Sequence, residues 1–254
     1  MKKIDPRMSF FEHLRELRGC VFRSFIGLLL GFAVAYFFSK EIFQILRVPF
    51  DQAYFNVYGS SPFLIVKSVL ESFVVYLKVG LLGGVFISSP YLFAQLWIFI
   101  SPALKSNEKK HVLPFVILAT LFFVSGAFFG YFLVFPKSFE FFLGITKNQH
   151  IEIMIGMQEY YKFASWMLLG FGLIFEAPLI VIYFIAFGII STEQITQHWR
   201  GVIVGILVAS AVITPTPDFA TMLMMSAPLF GFYILIIILS KTGIFNKTKS
   251  KESV

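Results

Sequence analysis

Ser9-Phe10-Phe11-Glu12-His13-Leu14-Arg15-Glu16-Leu17-Arg18 runs without a break into the apolar segment that opens at Val21. Ser9 followed by Glu12 has the spacing of a Ser-x-x-Glu capping box, in which hydroxyl and carboxylate each satisfy an orphan backbone donor. Leu14, Leu17 and Val21 then fall at helical spacing, so the reading is a helix that starts beside Ser9 and continues into a bilayer.

Composition supports the bilayer. Of 254 residues 57% are hydrophobic and 14% charged, with mean hydropathy +0.81; a soluble domain carries roughly 25% charged residues. Six apolar stretches follow one another, at about 21–38, 69–99, 112–135, 160–187, 201–213 and 219–240. Most reach the ~20 residues a helix needs to cross hydrocarbon. The expectation is one polytopic all-α membrane domain over residues 1–254, with 241–254 as a cytoplasmic tail.

Several details qualify this. The second stretch, through Pro90, is longer than a ~30 Å core requires and should tilt or project. Residues 39–61 read as short amphipathic surface helices and Pro136 to Gln158 as a loop. Ser191-Thr192-Glu193-Gln194 reads as a short helix start. The fifth stretch is short, and two readings stay open: a pair of short spans across a thin spot, or a re-entrant hairpin.

Six crossings put both termini on one side. Lys2, Lys3, Arg7, Arg15, Arg18, Arg23, Lys105, Lys109, Lys110, Arg200 and the lysines from Lys241 onward then share that side. Lys40, Arg47, Lys67, Lys137 and Lys147 fall opposite, so the positive-inside rule makes both termini cytoplasmic. The net charge of +7 is therefore read as anchoring to anionic lipid rather than as nucleic-acid binding. Charges continue to Arg23, so the first stretch is not read as a cleavable signal peptide. The single cysteine, Cys20, excludes an internal disulfide.

Glu16 draws attention because its helical neighbours at i+3 and i+4 are Gly19 and Cys20, while Arg15 and Arg18 do not face it. With Glu12 it forms an acidic face suited to bidentate capture of a guanidinium; a solvated helix end that only sets topology explains the same residues. Glu108 sits in a basic loop, where an intraloop pair with Lys105 is the plain alternative. Glu176 lies deep in an apolar run before Pro178, where an acid is costly and faces a bundle interior or wet cavity. Glu71 and Lys78, two turns apart, share a face and read as members of a buried or interfacial ion pair, with each other or with another helix. Asp218 reads as a cap for the last helix. His13, His111, His150 and His198 are scattered without ligand spacing. No nucleotide fingerprint, metal set, cofactor motif or nucleophile–base pair is present, so no enzyme is expected.

His13-Leu14-Arg15-Glu16-Leu17-Arg18 resembles the N-terminal signature of the TatC family, receptor subunits of twin-arginine protein translocation. The resemblance continues in Ser89-Pro90-Tyr91, Gln95-Leu96-Trp97, Phe99-Ile100, Pro102-Ala103-Leu104, Glu108-Lys109-Lys110, Gly130-Tyr131-Phe132, Phe171-Gly172, Phe175-Glu176, Pro178, Thr214-Pro215 and Asp218. It implies a concave, glove-like bundle of six helices with short fifth and sixth members, located in the cytoplasmic (inner) membrane. It also implies that Glu16 and Glu108 bind the paired arginines of signal peptides on folded cargo, with Phe99 nearby and Arg18 in support. Pro49 would lie in a sensitive outer loop and Glu176 would be the buried acid of the concave face. Implied partners are TatA- and TatB-type single-span proteins, with self-association as a further expectation, and transport would run on proton-motive force. Many members carry another basic residue two positions beyond the signature arginine; this chain has Cys20 there, and Arg23 is the cation that could compensate. The competing function is a proton-coupled small-solute transporter with Glu176 as proton carrier, although no repeated halves are visible.

Overall fold

The computed structural model describes residues 10–100, 112–148, 154–186, 190–213 and 219–241. Helix α1 covers Phe10–Phe37, α2 Ser39–Tyr58, α3 Glu71–Ile100 and α4 Val112–Phe129. A π-helical segment, Gly130–Val134, joins α4 to α5, Phe135–Asn148. Then follow α6 (Met157–Ala186), α7 (Thr192–Gln197), α8 (Trp199–Ile213) and α9 (Phe219–Lys241). Two-residue strands β1 (Leu64–Ile65) and β2 (Ile155–Gly156) pair in parallel. The fold is all-α apart from this short pair, and helices satisfy their own backbone hydrogen bonds where lipid offers no partners.

Among the described residues, five helical spans are long and apolar enough to cross a membrane: Phe11–Phe37, Glu71–Ile100, Val112–Lys147, Met157–Ile185 and Thr221–Ile238. α8 is apolar but shorter, and its 15 residues rise only about 22 Å. Two sequence expectations need correction. Residues 39–58 form one continuous helix with Pro49 inside it, not several short ones. The chain after Pro136 is helical to Asn148, because Phe135, Phe139 and Leu143 recur at four-residue intervals and all are buried. Ser191 does open a helix: its Oγ accepts from the Gln194 amide (3.2 Å), and Gln194 Oε1 accepts from the Ser191 amide (2.9 Å).

The chain divides into two compact units, residues 1–45 with 73–121, and 46–72 with 122–254. In the first, α1 and α3 run antiparallel along most of their length. A Cβ on Gly84 would stand 2.7 Å from the Phe32 amide nitrogen, and one on Gly31 would stand 2.8 Å from the Gly84 carbonyl oxygen. This is backbone-to-backbone approach, the packing that small residues permit between membrane helices. Arg23 Nε donates to Gln95 Oε1 at 2.9 Å further along the same seam.

The second unit is built on aromatic packing. Phe50, Phe135, Phe139, Tyr160 and Phe163 form a connected cluster with ring centroids 4.9–6.2 Å apart. The Tyr160 hydroxyl donates to the Leu46 carbonyl, which satisfies its polar end inside that cluster. Glu71 accepts the amides of Lys67 (2.6 Å) and Gln158 (2.9 Å) and so clasps the paired β1 and β2. Lys67 donates to Glu159, whose hydrogen bond and charge raise the ammonium above its ordinary pKa. Within the same unit α6 wedges against the π-helical turn: a Cβ on Gly126 would lie 2.4 Å from the Phe171 carbonyl oxygen.

Gly126→Ala should therefore force α4 and α6 apart, at a cost of about 1–3 kcal/mol. Gly144→Ala meets nothing within 4 Å and should stay within about 1 kcal/mol of the parent. Thermal unfolding of the two variants in one detergent checks the contrast.

Candidate functional site

The α1–α3 seam ends where α1 begins and α3 finishes. There the His13 ring stacks on Phe99, with centroids 4.5 Å apart and planes inclined by 19°. Glu16 follows His13 by three residues and so shares its face of the helix. Its Oε2 is buried and has no hydrogen-bond partner among the described residues. A buried unpaired carboxylate oxygen is costly, and a donor arriving from outside the chain would remove that cost.

The next turns of the face continue the polar line. Cys20 is buried at 4% exposure, and Arg23 Nη2 lies 3.3 Å from its Sγ. A guanidinium from one turn later on α1 thus reaches the Cys20 position. Gln95, also buried, holds that guanidinium. Arg18 is exposed and points to the other side, where it lines a shallow apolar groove with Leu14, Leu17, Val21, Phe22 and Phe25. Of the sequence candidates at this end, the structure thus puts Glu16 and Phe99 at one helix-pair terminus and Arg18 on a different face. Glu108 lies outside the described residues, as does Asp218.

Sequence reasoning passes over His13 and Gln95. The spacing of three between His13 and Glu16 is the available signal for the first. For Gln95, an amide in an otherwise apolar helix is the signal.

Glu176 lies on α6 at 8% exposure, with Pro178 inside the helix after it. Phe123 of α4 gives it a backbone hydrogen bond, yet Oε1 remains buried without a partner among the described residues. Phe175 beside it packs on Phe129 and Phe232. Pro49 lies inside α2, beside the buried Phe50. Glu71 takes two backbone amides, as described above, which side-chain spacing does not reveal.

The family model for Sec-independent protein translocase protein (TatC) matches residues 12–228. The chain belongs to the TatC family. The TatC protein of Desulforapulum autotrophicum is 41% identical over 252 residues, spanning 99% of this chain and 90% of the relative. That of Aquifex aeolicus is 34% identical over 248 residues, spanning 97% and 99%. A crystal structure of the twin arginine translocase receptor TatC superposes with a TM-score of 0.75 at 34% identity, covering 91% of this chain and 99% of that one. This TatC family member is thus a multi-pass membrane protein of a transport family, a Sec-independent translocase component.

Glu176 generates a test of its own. Glu176→Gln keeps a hydrogen-bonding group at a site with an unsatisfied oxygen, and Glu176→Leu does not. Export of a folded twin-arginine reporter should survive the first change better than the second; full export with Leu would show that no polar group is needed there.

Proposed function

We propose that this protein binds the Arg-Arg motif of signal peptides on folded cargo and organises their export across the cytoplasmic membrane. The observation that carries the reading is the buried Glu16 oxygen, unpartnered among the described residues and one helical turn from the His13 that stacks on Phe99, in a chain of the TatC family. A guanidinium matches a carboxylate with paired, charge-assisted hydrogen bonds, and its planar face can lie against an aromatic ring. Glu16 is the first arginine acceptor. Glu108, in the sequence that follows α3, is the second, a role that the family resemblance supports. Phe99 shapes the wall, and Arg18 keeps the exposed face of the same turn basic.

The alternation of Lys and Arg between loops supports a cytoplasmic location for both termini, which puts Glu16 on the side where folded cargo waits. On this topology α8 and α9 are the short fifth and the sixth span. TatA- and TatB-type single-span proteins are the partners that complete the translocase, and proton-motive force drives transport. The likeness to a crystallised twin arginine translocase receptor supports the receptor role.

Hydrogen bonds to a charged group contribute about 1.5–3 kcal/mol each, so Glu16→Gln should weaken twin-arginine peptide binding about 10- to 100-fold. A Lys-Lys peptide keeps the charge and loses the fork, and should bind less tightly to the parent protein. Titration of the purified protein with both peptides reads these effects. Normal binding and export by a Glu16→Ala, Glu108→Ala double variant would overturn the assignment.

A further inference from the structure

His13 lies on the same helical face as Glu16 and against Phe99, yet neither the sequence pattern nor the proposed receptor role gives it a task. We infer that His13 is a positioning residue for arginine recognition, holding the Phe99 ring while neutral and competing with the incoming guanidinium for Glu16 when protonated. The inference rests on the proposed role of Glu16 and adds to it a dependence on cytoplasmic pH.

The geometry supplies both halves. Centroids 4.5 Å apart with planes at 19° describe a stacked pair, which fixes the Phe99 ring at the end of α3. A stacked imidazole also stays put when it gains a proton, because a cation over an aromatic face is attracted to it. The charge then sits one turn from Glu16, the spacing at which helical ion pairs form. Imidazole is the side chain whose charge changes between pH 5 and 8. Among the described residues the surroundings leave few rivals. On α1, Glu12 and Arg15 stand one and two positions from His13 and do not share its face, whereas Glu16 does. On α3 the last turn, Leu96 to Ile100, carries no titratable group, and neither does the adjoining part of α4 from Val112 to Leu121. Among the described residues, then, Glu16 is the titratable group one helical turn from His13 on the same face.

The test measures binding of a twin-arginine peptide free of His, Asp and Glu to the full-length protein in lipid nanodiscs at pH 7.5 and pH 5.5. The parent should bind about threefold more weakly at the lower pH, the scale of a partly exposed helical ion pair. His13→Ala should weaken binding about two- to tenfold at pH 7.5 through loss of the stack. His13→Phe should restore parental affinity at pH 7.5 and remove the fall at pH 5.5, a combination that a purely structural role for His13 would not produce. Parental affinity in His13→Ala, or an unchanged acid fall in His13→Phe, would overturn the inference. Glu16→Gln is measured alongside. If it binds normally at pH 7.5, the Glu16 reading fails and takes the inference with it; if it loses binding while His13→Phe keeps the acid fall, the inference alone fails.

Discussion

The contact on which the candidate site depends is the backbone approach of α1 and α3 at Gly31 and Gly84. Lipid gives two apolar helices no hydrophobic reason to associate, so their register must come from shape and polar contacts. With a Cβ on either glycine clashing against backbone atoms, the helices can meet this closely only at residues without side chains. The Arg23–Gln95 hydrogen bond holds the same alignment further along the seam. That alignment carries His13 to Phe99 and leaves Glu16 at the mouth of the seam. A shift of one residue would rotate the carboxylate by about 100° around α1 and away from α3.

The two units use different physics for the same end. α1 and α3 are joined through small residues and a few polar bonds. Residues 46–72 and 122–254 are held by large rings, with a buried hydroxyl and a buried carboxylate turned to backbone partners, Tyr160 to Leu46 and Glu71 to two amides. Gly126 and Gly130 combine both devices, opening space on α4 and the π-helical turn into which Phe171 fits. A π-helical turn is a local irregularity that often accompanies function; here it lies directly beneath an aromatic wedge.

Much of this is legible in the sequence. Run lengths and charge placement identify an all-α membrane protein, and helical spacing alone marks Glu16 as lacking a local cation. The continuation of helix beyond Pro136 is not legible, because proline and scattered charges read as a loop while the buried Phe135, Phe139 and Leu143 stripe is obvious only once its packing partners are known. The partners of Glu71 are also hidden: backbone amides brought in by distant segments leave no trace in side-chain spacing. His13 escapes a search for metal-ligand spacing, and the aromatic ring that gives it a role comes from the far end of α3, a different helix.

The central claim is that the cation matching Glu16 is supplied by the cargo. The direct measurement is crosslinking of a twin-arginine signal peptide to a cysteine placed at Glu12, one turn from Glu16 on the same face, in a protein whose native Cys20 is replaced by serine. The account predicts a crosslink with the Arg-Arg peptide that weakens with Lys-Lys and disappears when Glu16→Gln is added. Equal crosslinking of both peptides, or a crosslink that persists without the Glu16 carboxylate, would contradict it.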